Sequence, residues 1–167
     1  MAATFSDLID YFETLAENHK SIAHSSNEKH FFRMEIDEVL AGINRGDVNY
    51  PMLILEGYAV SFTDNRADNI IKNRSGAFIL LDHLSDPSDI DTMHEKWDEL
   101  ETIGTDILVK IKTDKRDGDV PVVRNFNFEN VEGQLIRNEI GNDVGIRFSF
   151  SIDSPVNSIV DETKWTE

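Results

Sequence analysis

Histidine and carboxylate side chains are the residues of this chain whose spacing most resembles a site for chemistry. His94 and Asp98 lie four positions apart, about one turn of a helix, so both could bind a metal ion from one face. His19, His24 and His30 form a second group, at spacings that match no common metal site. The neighbours of the first pair are acidic, and the HExxH motif of zinc hydrolases is absent. We therefore predict a solvated helix face for the pair and ordinary surface positions for the three histidines.

Two short acidic segments superficially resemble calcium-binding loops. In 114–119 the carboxylates miss the alternating positions of such a loop, and in 64–68 Arg66 occupies a position that needs a ligand oxygen. The chain has no cysteine, which excludes disulfides, thiolate catalysis and cysteine metal sites. It also lacks a GxSxG motif, a phosphate-binding glycine loop and a dinucleotide-binding motif. We predict no enzyme, cofactor or metal, and a small hydrolase using His94 with a nearby carboxylate has little support.

The composition is that of one acidic globular domain. The chain has 167 residues, 40% of them apolar, and 32 acidic against 16 basic side chains give a net charge of −16. This charge opposes tight binding to nucleic acid or to an anionic membrane, and the nearest basic cluster, 110–116, is diluted by aspartate. Neither a leader sequence nor a membrane-spanning stretch is apparent, so we expect a soluble protein of the cytosol.

Two helical patterns occupy the first quarter of the chain. The apolar residues of 5–16 recur every three or four positions, and Thr4 or Ser6 can cap the first turn. This spacing predicts an amphipathic N-terminal helix. A second helical pattern covers 31–43 and ends at glycine.

A long central helix is predicted to begin at Asp86-Pro87-Ser88, because a capping side chain followed by proline is typical of a helix start. Apolar residues from Ile90 to Ile111 trace one helical face, interrupted by Gly104, and the opposite face is strongly acidic. Apolar and basic residues alternate in 107–112, so this part could equally form a strand.

Strands are predicted on both sides of the long helix. The run 52–62 is predicted to pair antiparallel with 77–84 across a polar loop at 63–74, and 122–131 also has the alternation of a strand.

The last regular unit of the chain is predicted to be a β-hairpin. Residues 131–140 form its first strand, 141–143 its turn and 144–152 its second strand, and Pro155 is expected to end the sheet. The alternation of the second strand separates an apolar set that packs under the helices from a small or polar set that faces a neighbouring subunit or a lumen. The apolar set is Val144, Ile146, Phe148, Phe150 and Ile152, and the other set is Gly145, Arg147, Ser149 and Ser151.

The predicted fold class is therefore α+β, a mainly antiparallel sheet with helices packed on one face. We expect one domain over 1–155 and a C-terminal tail over 156–167. Arg147 and Ser149 on the outer side of the last strand and the isolated Trp165 in the tail are the candidate interface residues.

This order of elements resembles that of the tail terminator, or tail-completion, proteins of long-tailed bacteriophages. Three places carry the resemblance: the helix at 5–16, the apolar strand that opens at Pro51-Met52-Leu53-Ile54-Leu55, and the final strand at 144–152. No single motif anchors it, and the loops at 20–29 and 63–74 are longer than such a compact domain needs.

The resemblance implies a non-enzymatic virion protein that self-associates, as a hexameric ring, between the tail tube and the neck or connector proteins. Such a protein is found in the host cytoplasm during assembly and later in the virion. Acidic side chains lining the ring would repel DNA phosphates and let the genome pass without tight binding. The alternative is an acidic DNA-mimic inhibitor of a DNA-binding or defence enzyme, in which the acids of 86–101 begin a row spaced like phosphates.

Overall fold

A computed structural model describes residues 4–33, 48–64, 69–138, 142–157 and 159–166. Within these ranges the chain forms two α-helices and a six-stranded, mainly antiparallel sheet, which confirms the predicted α+β class. In chain order the elements are α1 (Phe5–Asn18), β1 (Phe31–Phe32), β2 (Met52–Leu55), β3 (Ala59–Asp64), β4 (Ile70–His83), α2 (Ile90–Asp117), β5 (Phe126–Asn138) and β6 (Asp143–Val156). Short 3₁₀ turns lie at Pro121–Val123 and Glu162–Lys164.

The N-terminal helix α1 forms as predicted and continues to Asn18. Thr4 is its cap: the Thr4 hydroxyl accepts from the Asp7 N–H at 3.2 Å, and the Asp7 carboxylate accepts from the Thr4 N–H at 2.7 Å. This capping box satisfies N–H groups that the first turn would otherwise leave unpaired. The predicted second helix is wrong at its start, because Phe31–Phe32 pair with β2 as a parallel strand, and its remainder lies outside the described residues.

The long helix α2 begins three residues later than predicted, at Ile90, because Asp89 rather than Asp86 caps it. The Asp86 carboxylate instead accepts from the Ser88 N–H in a separate turn. The helix then runs unbroken to Asp117, so neither the interruption at Gly104 nor the alternative strand at 107–112 occurs. It ends at Gly118, whose φ of 80° is a conformation that glycine adopts without strain.

The strand order of the sheet is β1-β2-β4-β6-β5, with β3 beside β4 on the same side as β2. The predicted antiparallel pairing is confirmed, with Met52 opposite Leu81. The single strand predicted over 52–62 is divided at 56–58, and the predicted loop at 63–74 is mostly strand: β3 reaches Asp64 and β4 begins at Ile70. Apolar and polar residues both fit in β3 because all six of its residues are exposed, while 70–74 of β4 are half-buried or buried.

The predicted C-terminal hairpin is confirmed as β5 and β6. Its first strand is longer than expected, since 126–138 form one strand with a shift of register between Asn127 and Glu132. The second strand continues through Pro155 to Val156, so Pro155 does not end the sheet. The Asp153 N–H donates to the backbone oxygen of Asn125, just before β5. The Pro155 nitrogen faces the same side two residues later, beyond the start of β5, so its missing N–H costs the sheet no hydrogen bond.

The core lies between the helices and one face of the sheet. Four side chains of β6 pack there as predicted: Ile146, Phe148, Phe150 and Ile152. Val144, also predicted there, packs with Leu84 and Met93 at the start of α2. Phe12 of α1 joins the layers, with its ring 5.5 Å from that of Phe78 and 6.0 Å from that of Phe150. Burial of each such side chain contributes about 1.5–3 kcal/mol, so these contacts fix the sheet under the helices.

One part of the sheet projects from this core. It consists of β3, the first half of β4 (70–75) and the end of β6 (153–156), and we call it the arm. None of these residues belongs to the apolar clusters of the core. All six residues of β3 are exposed.

Candidate functional site

The sheet face away from the helices has an apolar half and a polar half. The apolar half contains Met52, Ile54, Ile79 and Leu81, which are buried because Phe32, Val48 and Tyr50 of the same chain pack against them. The polar half carries a groove of about 650 Å³. Its polar lining consists of Glu56, Asn73, Ser75, Asn130, Arg147, Ser149 and Ser151.

Arg147, predicted as an interface residue, has a partner within its own chain. Its Nε and Nη2 donate to Oε2 of Glu56 at 2.9 Å and 2.7 Å. The Glu56 side chain is 11% exposed and that of Arg147 is 39% exposed. The positive charge of Arg147, which was predicted to pair with the next copy, is therefore largely neutralised within its own chain. Glu56 was not predicted as part of this site. The indication in the sequence is that Glu56 is the single acid in the apolar run 52–62.

A row of small polar side chains continues the groove toward the arm. The Asp153 carboxylate accepts from the side-chain amides of Asn73 and, at 3.2 Å, Asn127. The Ser75 hydroxyl donates to Asn73 Oδ1 at 2.7 Å. These residues stand on three neighbouring strands, so the row spans the sheet. Short side chains tied to one another present a flat polar surface with little side-chain entropy left to lose on contact.

The other two predicted interface residues, Ser149 and Trp165, lie on different surfaces of the molecule. Ser149 lines the groove beside Arg147, half-buried, with its hydroxyl 3.4 Å from the backbone oxygen of Glu132. Trp165 lies in the tail, just after the 3₁₀ turn, and is 74% exposed. Arg147 and Ser149 thus share one surface, and the indole belongs to a second one.

The three histidines of the first connection are structural rather than ordinary surface residues. His24 Nδ1 accepts from the backbone N–H of His30 and of Phe31, at 3.1 Å and 3.2 Å. His30 is buried, with Nδ1 2.8 Å from the Pro51 oxygen. His19 Nε2 lies 3.5 Å from the Asp106 carboxylate of α2. The three rings therefore hold the connection to the sheet and to the long helix.

The predicted exposed position of His94 is confirmed, and its ring stacks on Trp97 at 5.9 Å. No group of three or more carboxylate or imidazole side chains in the described ranges is arranged to hold a metal ion. Asp114, part of the calcium-like segment, instead accepts from the Tyr11 hydroxyl at 2.8 Å and pairs with Lys110. Burial, together with this hydrogen bond, raises the pKa of Tyr11 well above its usual value.

Negative charge is concentrated on α1 and on the first part of α2, whereas the last part of α2 carries Lys110, Lys112, Lys115 and Arg116. Along α2, six exposed carboxylates between positions 91 and 106 accompany one base, Lys96, which pairs with Asp82 at 2.7 Å. The helix α1 adds four acids and no base. On the opposite side of the sheet, Glu56 is paired, Asp143 is fully buried and Asp153 is bonded to two amides, while Glu132, opposite Ser149, is exposed. The helical side therefore carries a dense group of exposed acids, and the polar side carries fewer exposed charges.

A buried carboxylate marks the other end of the same sheet face. Asp143 Oδ1 accepts from the Tyr50 hydroxyl at 3.0 Å and lies 3.0 Å from His83 Nδ1. The ring of His83 is 5.6 Å from that of Tyr50. These contacts join a residue just before β2, the end of β4 and the first residue of β6, so the cluster ties the start of β6 to its neighbours.

Neither described helix carries an apolar stretch long enough to cross a bilayer. Comparison with protein-family models gives no match, and comparison with curated protein sequences gives none either.

Proposed function

We propose that this protein is a non-catalytic structural subunit that assembles into a ring of the tail-terminator type, closing the head-proximal end of a phage tail tube and contacting the neck. The observation that carries the proposal is the separation of charge between the two sides of the molecule. A ring whose subunits turn their helices inward would present acids to the DNA and keep them away from the contacts between subunits.

The polar face and the arm support the same proposal. Subunits of −16 charge repel one another, so they need contact surfaces with few unpaired charges. The groove around Ser149 meets this need, because its only salt bridge is satisfied within the chain. The exposed strand β3 pairs with β4 along one side, and no other strand in the described ranges pairs with its second side. Head-to-tail contacts between two different surfaces close into rings when the rotation permits.

The test is the assembly of the purified protein, by native mass spectrometry and electron microscopy, alone and with tube protein. We expect rings or concentration-dependent oligomers, and a monomer that never associates would refute the proposal. Ser149→Tyr should fill part of the groove and weaken assembly without unfolding the monomer. Thr105→Tyr, an equal change at an exposed position of α2, is the matched control.

The acidic helical side also favours a second candidate, a DNA-mimic inhibitor of a DNA-binding or defence enzyme. The six exposed carboxylates of α2 stand on one helix, as a row that imitates phosphates requires. This candidate predicts a monomer that forms a 1:1 complex with such an enzyme and loses affinity steeply as salt rises. Replacing Asp98, Glu99 and Glu101 together with the corresponding amides should abolish that complex and leave ring assembly unaffected.

A further inference from the structure

The arm exposes an apolar strand edge that nothing described in the chain covers. Val60 and Phe62 of β3 are 44% and 62% exposed, on the side of the sheet that carries the helices. Both belong to the strand that pairs with β4 along one edge only. Soluble proteins usually protect such an edge with charge, proline or a covering segment. The arm therefore has the properties of a docking strand.

The tail that follows β6 carries the complementary feature. Ile159, Val160 and Trp165 are 79%, 65% and 74% exposed. With the arm residues they account for five of the nine large apolar side chains that are exposed in the described chain. The ten residues of 157–166 can reach about 33 Å when extended, far enough to contact an adjacent molecule.

Charge favours the pairing of these two surfaces. Lys72, the cross-strand partner of Phe62, places a positive charge beside the apolar residues of the arm. Arg74, opposite Val60, is buried, and Asp64 and Asp153 balance the two bases of the arm as a whole. No ion pair joins Lys72 to another described residue. The tail carries Glu162 among its apolar residues, and Asp161 pairs with Lys164 of the tail at 3.1 Å. Lys72 of the arm can thus pair with Glu162 of a tail that packs its apolar residues on Val60 and Phe62.

We infer that the C-terminal tail of one copy docks on the arm of the next copy, along β3 and over Phe62. Trp165 is the apolar anchor, because a large aromatic side chain on a tail gains most from burial at a contact. The contact joins two different surfaces, so it repeats from copy to copy and can close into a ring. The inference rests on the proposed self-association and names the surfaces that produce it.

The experiment uses three variants of the full chain and analytical ultracentrifugation. The first ends at Val156, the second is Val60→Glu/Phe62→Glu, and the third is Trp165→Ala. We expect the first two to be monomeric alone and to form only a 1:1 heterodimer when mixed, since one intact tail then meets one intact arm. Trp165→Ala should weaken association about 10-fold or more. Val109→Glu, at a site 58% exposed on α2, is the matched control and should assemble normally.

Two results would overturn the inference. If the chain that ends at Val156 assembles as well as the full chain, the contact does not use the tail. If the two monomeric variants form no complex when mixed, the tail does not bind the arm. A protein that assembles through the tail into open filaments instead of rings would contradict the proposed function while supporting this contact.

Discussion

The choice of glycine at position 104 of α2 is explained by its packing against Phe148 of β6. A Cβ atom at this position would lie 2.6 Å from Cζ of Phe148 and closer still to Cε2. We expect Gly104→Ala to destabilise the protein by about 1–3 kcal/mol through overpacking, although alanine favours an isolated helix by about 1 kcal/mol. Urea denaturation measures the change, with exposed Thr105→Ala as control. A gain in stability for Gly104→Ala would contradict the packing.

The salt bridge between Arg147 and Glu56 leads to a second prediction about single residues. Arg147→Glu places two carboxylates together, one of them mostly buried, so the monomer itself should lose stability. The variant alone therefore cannot report on assembly.

The exchange Glu56→Arg/Arg147→Glu should recover part of the lost stability, because it restores an opposite pair. Thermal denaturation of the two single variants and the double variant gives the interaction free energy between residues 56 and 147. Additive effects would show that the pair contributes nothing. If the recovered double variant still fails to assemble, the groove belongs to a contact between subunits.

At the scale of elements, the start of α2 depends on the Asp89 cap. Hydrogen bonds from the side chain and then the backbone of Thr92 lower the pKa of Asp89. A lowered pKa in the folded state means that this contribution is present above the unfolded value, about 3.9, and is lost as pH falls through the folded value. Asp89→Asn should lower the urea midpoint at pH 7, and its difference from the wild type should shrink below about pH 4.

The control for the cap is Asp98→Asn, in the exposed middle of the same helix. This exchange removes a negative charge far from the helix N-terminus, where it does not interact with the cap, so the midpoint should stay constant or rise. A pH-independent difference for Asp89→Asn would mean that the charge of the cap is irrelevant.

At the scale of the whole molecule, the net charge of −16 sets the salt dependence of assembly. Repulsion between like-charged subunits is screened as the Debye length falls from about 10 Å at 0.1 M salt to about 3 Å at 1 M. Ring formation should therefore strengthen with salt, as sedimentation at increasing NaCl concentration will measure. A complex between a DNA mimic and its enzyme should weaken over the same range, so the sign of the slope separates the two functions.

Much of the fold was predictable because hydrophobic periodicity is a local property of the chain. The spacing in 5–16 and the alternation in 144–152 each identify an element and the face it buries. The polar residues of 63–74 misled the prediction because β3 is exposed and because Asn73 and Arg74 of β4 bond to Asp153 and Ser154 of the neighbouring strand. Of the candidate site, Ser149 was placed on the correct face, whereas the partner of Arg147 was not foreseeable from spacing.

The sequence by itself determined the fold class, the hairpin, the buried side of its last strand and the acidity of the long helix, since each follows from residues close together along the chain. Only the tertiary structure decided that Glu56 neutralises Arg147 from 91 positions away, that Phe148 occupies the space at Gly104, and that an arm projects beyond the core. These features depend on the register between distant strands and on the packing of helix against sheet, and the local spacing of residues specifies neither.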